Sequence, residues 1–382
     1  MGELGCLIYH RITMGRWVSG EDLIVSESNV VTDPLKSNPL SKPAEYKSDC
    51  VWMDRMNSHP YFDYVLNPLG PCGDSSVNNR GFGGPNLPQE KRPGTFVILV
   101  GGGSVAERQA GRDRSLQDEL NEHYTSEEIQ QFVVVSGAVA AWKQPQAFIA
   151  FALFSGSIDG YIELDGFNEH YDFYGDPPLF EKPMNSHFMD GANNFMNWRA
   201  VVPLRFEADL LRWQLHKGFW QRSLLIYHTL AVVRGQLRKA AFEESSSPLE
   251  FDPAFPRTHR AGYNLEQYKR YIRMSKAIAN EMGIRCLFLI QPVPIIDKPL
   301  TDHEKLFLRD MYDYRTVYQT MTDSLLLLRR QKIPIYSTLD LFAHETDDIY
   351  EDYIHFNQRG KRLMNRRILS LLEKEWGLQR HN

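Results

Sequence analysis

Four short groups in this 382-residue chain carry side chains that could do chemistry together. They are Gly101-Gly102-Gly103-Ser104, Ser136-Gly137, Asp165-Gly166-Phe167-Asn168 and Asp352-Tyr353-Ile354-His355. A serine hydroxyl becomes a useful nucleophile when a base takes its proton. A histidine with an aspartate to fix its tautomer is such a base. Backbone N–H groups and a side-chain amide can then hold the oxygen on which negative charge develops. On this reading Ser104 is the nucleophile, His355 the base and Asp352 its orienting carboxylate. The N–H groups of Ser104 and Gly137, with the amide of Asn168, form the oxyanion hole. Each residue also has a plainer reading. Gly137 serves as a turn glycine, Asn168 and Asp352 as helix caps, and His355 as an ordinary hydrogen-bonded histidine. His123 and His170 stand as alternative bases.

The position of each group in the chain favours the chemical reading. Phe96 to Val100 is a short apolar run of the kind buried in a parallel sheet, and the glycines after it allow a sharp turn. A helix over Ser115–Tyr124, a strand over Phe132–Val135, a helix over Gln144–Phe154 and a strand over Ile158–Leu164 follow. The alternation then lapses, through the turn-rich Asp176-Pro177-Pro178, into a long amphipathic helix from about 203 to 241. That helix carries Trp213, Trp220, Leu224, Leu225, Tyr227 and Val232. A polar linker over Glu243–Gly262 leads to a helix over Leu265–Met282 and a strand over Arg285–Ile290. A helix over Asp302–Arg330, a strand over Ile333–Tyr336 and a closing helix over Gln358–Glu375 complete the pattern. Five strands separated by helices predict an α/β, doubly wound parallel sheet of flavodoxin-like order 2-1-3-4-5. The C-terminal ends of parallel strands share one edge, so the four groups can converge there.

The domain expected at 95–378 is interrupted by a helical insertion at about 170–262. Residues 1–94 read as an irregular segment packed on its outside, since from Val31 to Gly94 prolines and glycines recur without period. Trp52, Tyr61, Phe62, Tyr64 and Phe82 make that segment too aromatic to be disordered. Gly73-Asp74-Ser75 falls within it, with no strand expected before it and no helix after it, and is read as a decoy.

A net charge of −5 with 42% apolar residues suits an ordinary globular domain and gives no general reason to expect nucleic acid. The longest apolar run, Ala147 to Phe154, is far short of the roughly 18 residues of a bilayer span. The N-terminal residues do not read as a signal peptide, because Gly2-Glu3 and His10-Arg11 bracket only a few apolar positions. Cys6, Cys50, Cys72 and Cys286 include no Cys-x-x-Cys pair, so no structural metal is expected. Cys50 and Cys72 could pair in an oxidising compartment, whereas Cys286, in an apolar run, is expected to be buried and inert.

Gly102-Gly103-Ser104, Gly137, Gly166-x-Asn168 and Asp352-x-x-His355 resemble the four blocks of the SGNH/GDSL hydrolases. Asn79-Arg80-Gly81-Phe82 and Leu289-Ile290-Gln291-Pro292 resemble features of its bacterial GDSL-like lipase/acylhydrolase branch. The resemblance runs from about Asn78 to the closing helix. It implies the flavodoxin-like sheet, Ser104 with Asp352 and His355 as a triad, Gly137 and Asn168 in the oxyanion hole, and neither metal nor cofactor. It also implies substrates such as acylated sugars, lipids or small esters. Gly103 stands where the family's name has aspartate, Val105 where threonine is frequent, and Glu169 where an aspartate follows the asparagine. None of these removes a reacting group, but they leave the substrate class open. An O-acyltransferase using the same triad, with a sugar hydroxyl in place of water, and a non-catalytic binding protein on the same fold are the alternatives. Relatives of this branch often carry an N-terminal membrane anchor followed by a segment like Glu3 to Tyr9. Association with a membrane, or an extracytoplasmic site, would therefore come from a segment outside this sequence.

Overall fold

The computed structural model describes residues 56–67, 77–110, 115–170, 257–309 and 313–381, with four helical positions between 229 and 236. The chain groups into two units, 1–56 with 186–248 and 57–185 with 249–382. All but Met56 and those four positions belong to the second unit, described below. The Gly73-Asp74-Ser75 tripeptide, Cys6, Cys50, Cys72 and most of the helix expected over 203–241 lie outside the described residues.

Two short strands, β1 (Met56–His59) and β2 (Asp63–Leu66), form a two-stranded sheet in the segment read as irregular. With only four residues each, they leave no readable period in the sequence. The main sheet follows in β3 (Thr95–Gly102), β4 (Gln131–Ala138), β5 (Gly160–Asp165), β6 (Arg285–Ile290) and β7 (Ile335–Ser337). Its order is β4-β3-β5-β6-β7 with every neighbour parallel, which is the expected 2-1-3-4-5. β3 is buried at every residue after Thr95, and β6 at every residue after Arg285, as a sheet covered on both faces requires.

Helices α1 (Ser104–Ala110), α2 (Ser115–His123), α3 (Gln146–Phe154) and α4 (Phe167–His170) alternate with the first strands. Further on come α5 (Arg257–Glu281), α6 (Asp302–Leu308), α7 (Arg315–Leu326) and α8 (Gln358–Trp376). Two expectations are corrected here. The linker expected to run to Gly262 ends earlier, because α5 begins at Arg257. Its first two turns are polar and carry no apolar period until Leu265. The single helix expected over Asp302–Arg330 is two helices and a 3-10 turn at Leu327–Gln331. Asp313 accepts the N–H of Arg315 at 3.0 Å just before α7, and Tyr314 and Tyr318 are driven into the core.

Helix α8 closes the sheet. Asn357 caps it by accepting the N–H groups of Arg359 and Gly360, and Met364, Ile368, Leu372 and Trp376 form its buried face. The Trp376 ring packs on Phe96 at 6.0 Å, and its indole N–H donates to the Cys286 carbonyl at 3.3 Å. Cys286 is buried as expected, and burial pushes its thiol up to about 11, well away from reactive thiolate.

Candidate active site

Strand β3 ends in the three glycines, and α1 starts at Ser104. A Cβ on Gly102 would lie 2.1 Å from the Leu164 carbonyl oxygen, and the residue has φ +136°. A Cβ on Gly103 would lie 2.3 Å from Asn168 Nδ2 and 2.9 Å from the Trp142 carbonyl oxygen. Glycine at 102 thus lets β3 turn against β5, and glycine at 103 lets the Asn168 amide come up beside the serine.

Ser104 Oγ lies 2.7 Å from His355 Nε2, and His355 Nδ1 lies 2.6 Å from Asp352 Oδ2. The carboxylate fixes the tautomer: Nδ1 keeps its proton and donates it to Asp352, which leaves the Nε2 lone pair for the serine hydroxyl. The other Asp352 oxygen accepts the N–H groups of Ile354 at 2.8 Å and His355 at 2.7 Å. Burial would raise the Asp352 pKa, but its bonds to His355 and to the two N–H groups hold it below the usual carboxylate range. Burial of the imidazole lowers the His355 pKa, and the opposing pull of Asp352 does not restore it.

The imidazole sits on a tight loop. Tyr350 and Phe356 form an antiparallel bridge, Asn357 N–H donates to the Ile349 carbonyl at 2.7 Å, and Glu351 N–H donates to the His355 carbonyl at 2.8 Å. Arg108, one turn along α1 from Ser104, faces Glu351 of this loop at 3.7 Å.

Asn168 stands on α4, just past the end of β5, and its amide donates to the Trp142 carbonyl at 2.6 Å. An amide has two N–H donors, so a second remains for a substrate oxygen. Phe167 contacts Tyr353 of the base loop with ring centroids 6.0 Å apart, tying the third and fourth groups together. Gly137 lies within β4 in register with Gly101, and a Cβ there would meet the Leu99 side chain at 2.7 Å. Packing therefore accounts for that glycine. His170 is buried with Nδ1 against the Phe167 carbonyl, and burial lowers it to about 4. His123 ends α2 beside Glu122. Of the three candidate bases, only His355 is within hydrogen-bond distance of Ser104.

Three further residues build the surroundings. Trp142 offers the carbonyl that orients Asn168, and its indole donates to the Tyr64 carbonyl at 3.2 Å, so strand β2 supports the site. Glu169 accepts the N–H of Gln144 at 3.0 Å and of Gly166 at 2.8 Å, bridging the loop of Trp142 to the turn of Asn168. Glu304 holds the base loop. Its one readable trace is the Thr301-x-x-Glu304 pattern of a capping box, which the structure contains.

Beneath Asn168, Glu163, Asp165 and Glu169 form a buried acidic group. The Tyr161 hydroxyl donates to Glu163 at 2.8 Å, and Gln144 Nε2 and the Tyr268 hydroxyl donate to Asp165. Burial, with the charge of neighbouring carboxylates, raises Glu163 to about 7 and the other two well above their ordinary values. Among the described residues no cluster of three or more His, Cys, Asp or Glu has the arrangement of a metal site, and no helix is long and apolar enough to cross a membrane.

No protein-family model matches the chain, and no curated protein does. Solved structures do. An acetyl xylan esterase, AlAXEase, matches with TM-score 0.39 and 10% identity over 72% of this chain and 98% of its own. A GDSL-like lipase from Bacteroides thetaiotaomicron VPI-5482 matches with TM-score 0.37 and 10% identity over 74% and 88%. At these TM-scores the likeness adds nothing to the chemistry of the site, which stands on its own distances.

Proposed function

We propose that the chain is a serine hydrolase that cleaves an O-acyl ester through an acyl-enzyme on Ser104. The observation that carries the reading is the unbroken chain from Ser104 Oγ to His355 Nε2 at 2.7 Å and from His355 Nδ1 to Asp352 at 2.6 Å. Ser104 Oγ attacks the ester carbonyl while His355 Nε2 takes its proton. Asp352 stabilises the imidazolium that forms. The carbonyl oxygen, now negative, is received by the free N–H of Asn168 and by the Ser104 N–H. As the first residue of α1, Ser104 has no carbonyl a turn back to bond. The tetrahedral species collapses, His355 returns its proton to the leaving alcohol, and water repeats the sequence to release the acid. A binding protein without chemistry would have no need of this aligned chain. A carbohydrate, one of the substrate classes that the resemblance implies, is the acylated alcohol in this reading.

The test is a series of chromogenic esters of increasing acyl length, assayed with wild type and Ser104→Ala. Wild type turns over the short members, and Ser104→Ala loses at least about a thousandfold in kcat while melting at the same temperature. Equal turnover by both proteins would refute the reading.

A further inference from the structure

The base loop is fastened by a group that touches none of the reacting atoms. Glu304, in the first turn of α6, and Lys298 are an ion pair with side chains 0% and 1% exposed. One Glu304 oxygen accepts Lys298 Nζ at 2.6 Å and the Thr301 N–H at 3.0 Å. The other accepts the N–H groups of Ile349 and Tyr350, each at 2.9 Å. Burial would raise this carboxyl, but Lys298 and the three N–H donors keep it below its ordinary value. Thr301 accounts for the cap, and Lys298 compensates the buried charge. The second oxygen serves only Ile349 and Tyr350.

Those two residues are the stem from which the base loop rises. Ile349 is bonded to Asn357, Tyr350 is bridged to Phe356, and Asp352 and His355 lie between. A shift at the stem moves the imidazole directly. Catalysis tolerates little of that, since a displacement of about 1 Å can cost on the order of a hundredfold in rate.

We propose that Glu304 is a positioning residue for the base: through the Ile349 and Tyr350 N–H groups it fixes the loop that sets His355 against Ser104. This rests on reading Ser104, His355 and Asp352 as a triad. A buried ion pair is a weak source of stability, since apolar partners of similar volume often do as well. Its use here is geometric.

Two variants separate positioning from stability. Glu304→Asp keeps a negative charge beside Lys298 but withdraws it from the loop by one methylene. Lys298→Met leaves the loop bonds in place and removes the cation. Glu304→Asp lowers kcat by about 10- to 100-fold with KM within about threefold. It also raises the midpoint of the His355 imidazole titration seen by NMR, as water reaches a loosened ring. Lys298→Met lowers the melting temperature yet leaves kcat within about threefold and the titration in place. Wild-type kcat and titration in Glu304→Asp, or an equal loss of kcat in Lys298→Met, would overturn the proposal. Should Glu304→Asp fail to fold, Lys298→Met/Glu304→Gln, which buries no charge and offers one acceptor to three N–H donors, is compared with Lys298→Met and shows the same loss. The imidazole titration is read with or without turnover. An unaltered Ser104→Ala, which would refute the esterase reading, is therefore a separate result.

Discussion

Asn168 is aimed before any substrate arrives, because one of its N–H groups is already given to the Trp142 carbonyl. In the proposed mechanism the second acts when charge has developed on the substrate oxygen. Asn168→Ala is therefore expected to lower kcat about 100- to 1000-fold with little change in KM, measured on a short-chain ester. A raised KM with unchanged kcat would make Asn168 a binding residue instead. His355 must be neutral to accept the Ser104 proton, and its pKa lies below 6.5, chiefly through burial. Activity is thus present above that pKa and lost as pH falls through it, so kcat/KM should rise with a midpoint on the acid side of 6.5. Asp352→Asn removes the pull toward the charged ring. It should lower the midpoint further and cut the rate by up to about ten-thousandfold, while His355→Ala abolishes the limb. A His355→Ala variant with the wild-type profile would show that another group is the base. Ser104, Asn168, Asp352 and His355 were legible because strand ends in a parallel sheet meet on one edge. Trp142 was not, because it acts on Asn168 through its own backbone carbonyl, which any residue type offers, and Glu304 showed only its capping box, since its hold on Ile349 and Tyr350 spans residues far apart in sequence.

Strand β5 shows what alternation alone cannot say. The sequence marked it as a central strand, and it is one, yet Glu163 and Asp165 point into a region closed to water. Tyr161, Tyr268 and Gln144 serve as their donors. Glu163, raised to about 7 from the ordinary 4.5, supports the fold fully below pH 4.5 and loses that contribution as pH rises through 7. At pH 8 the difference amounts to about 3 kcal/mol. Glu163→Gln keeps an acceptor for the Tyr161 hydroxyl and mimics the protonated acid. It should leave the melting temperature nearly unchanged at pH 5 and raise it by a few degrees at pH 8, by calorimetry. An equal change at both pH values would mean that Glu163 does not titrate in this way. The strands and their order were readable from apolar runs separated by helical ones. The break between α6 and α7 was not, since apolar residues recur from Leu306 to Leu328 with no proline or glycine to mark a stop, and burial of Tyr314 at the start of α7 shows only in the fold.

Across the described molecule, the site is assembled from both ends of its unit. The β1–β2 hairpin reaches it through Tyr64, whose hydroxyl donates to the Ala140 carbonyl at 2.8 Å and whose own carbonyl receives the Trp142 indole. Phe62 and Phe82 pack on the same indole at 5.0 and 5.7 Å. The aromatic content of that segment signalled packing, but only the fold reveals that it packs on the loop orienting Asn168. At the other end, α8 and the loop before it bring His355 to a serine 251 positions earlier. The measurement that tests the central claim most directly is covalent labelling of the folded protein with a fluorophosphonate, followed by peptide mass spectrometry. The account predicts a single adduct on the peptide containing Ser104, absent from Ser104→Ala and formed at least about a hundredfold more slowly in His355→Ala. An adduct on another serine such as Ser75, or labelling of Ser104→Ala at the wild-type rate, would contradict it.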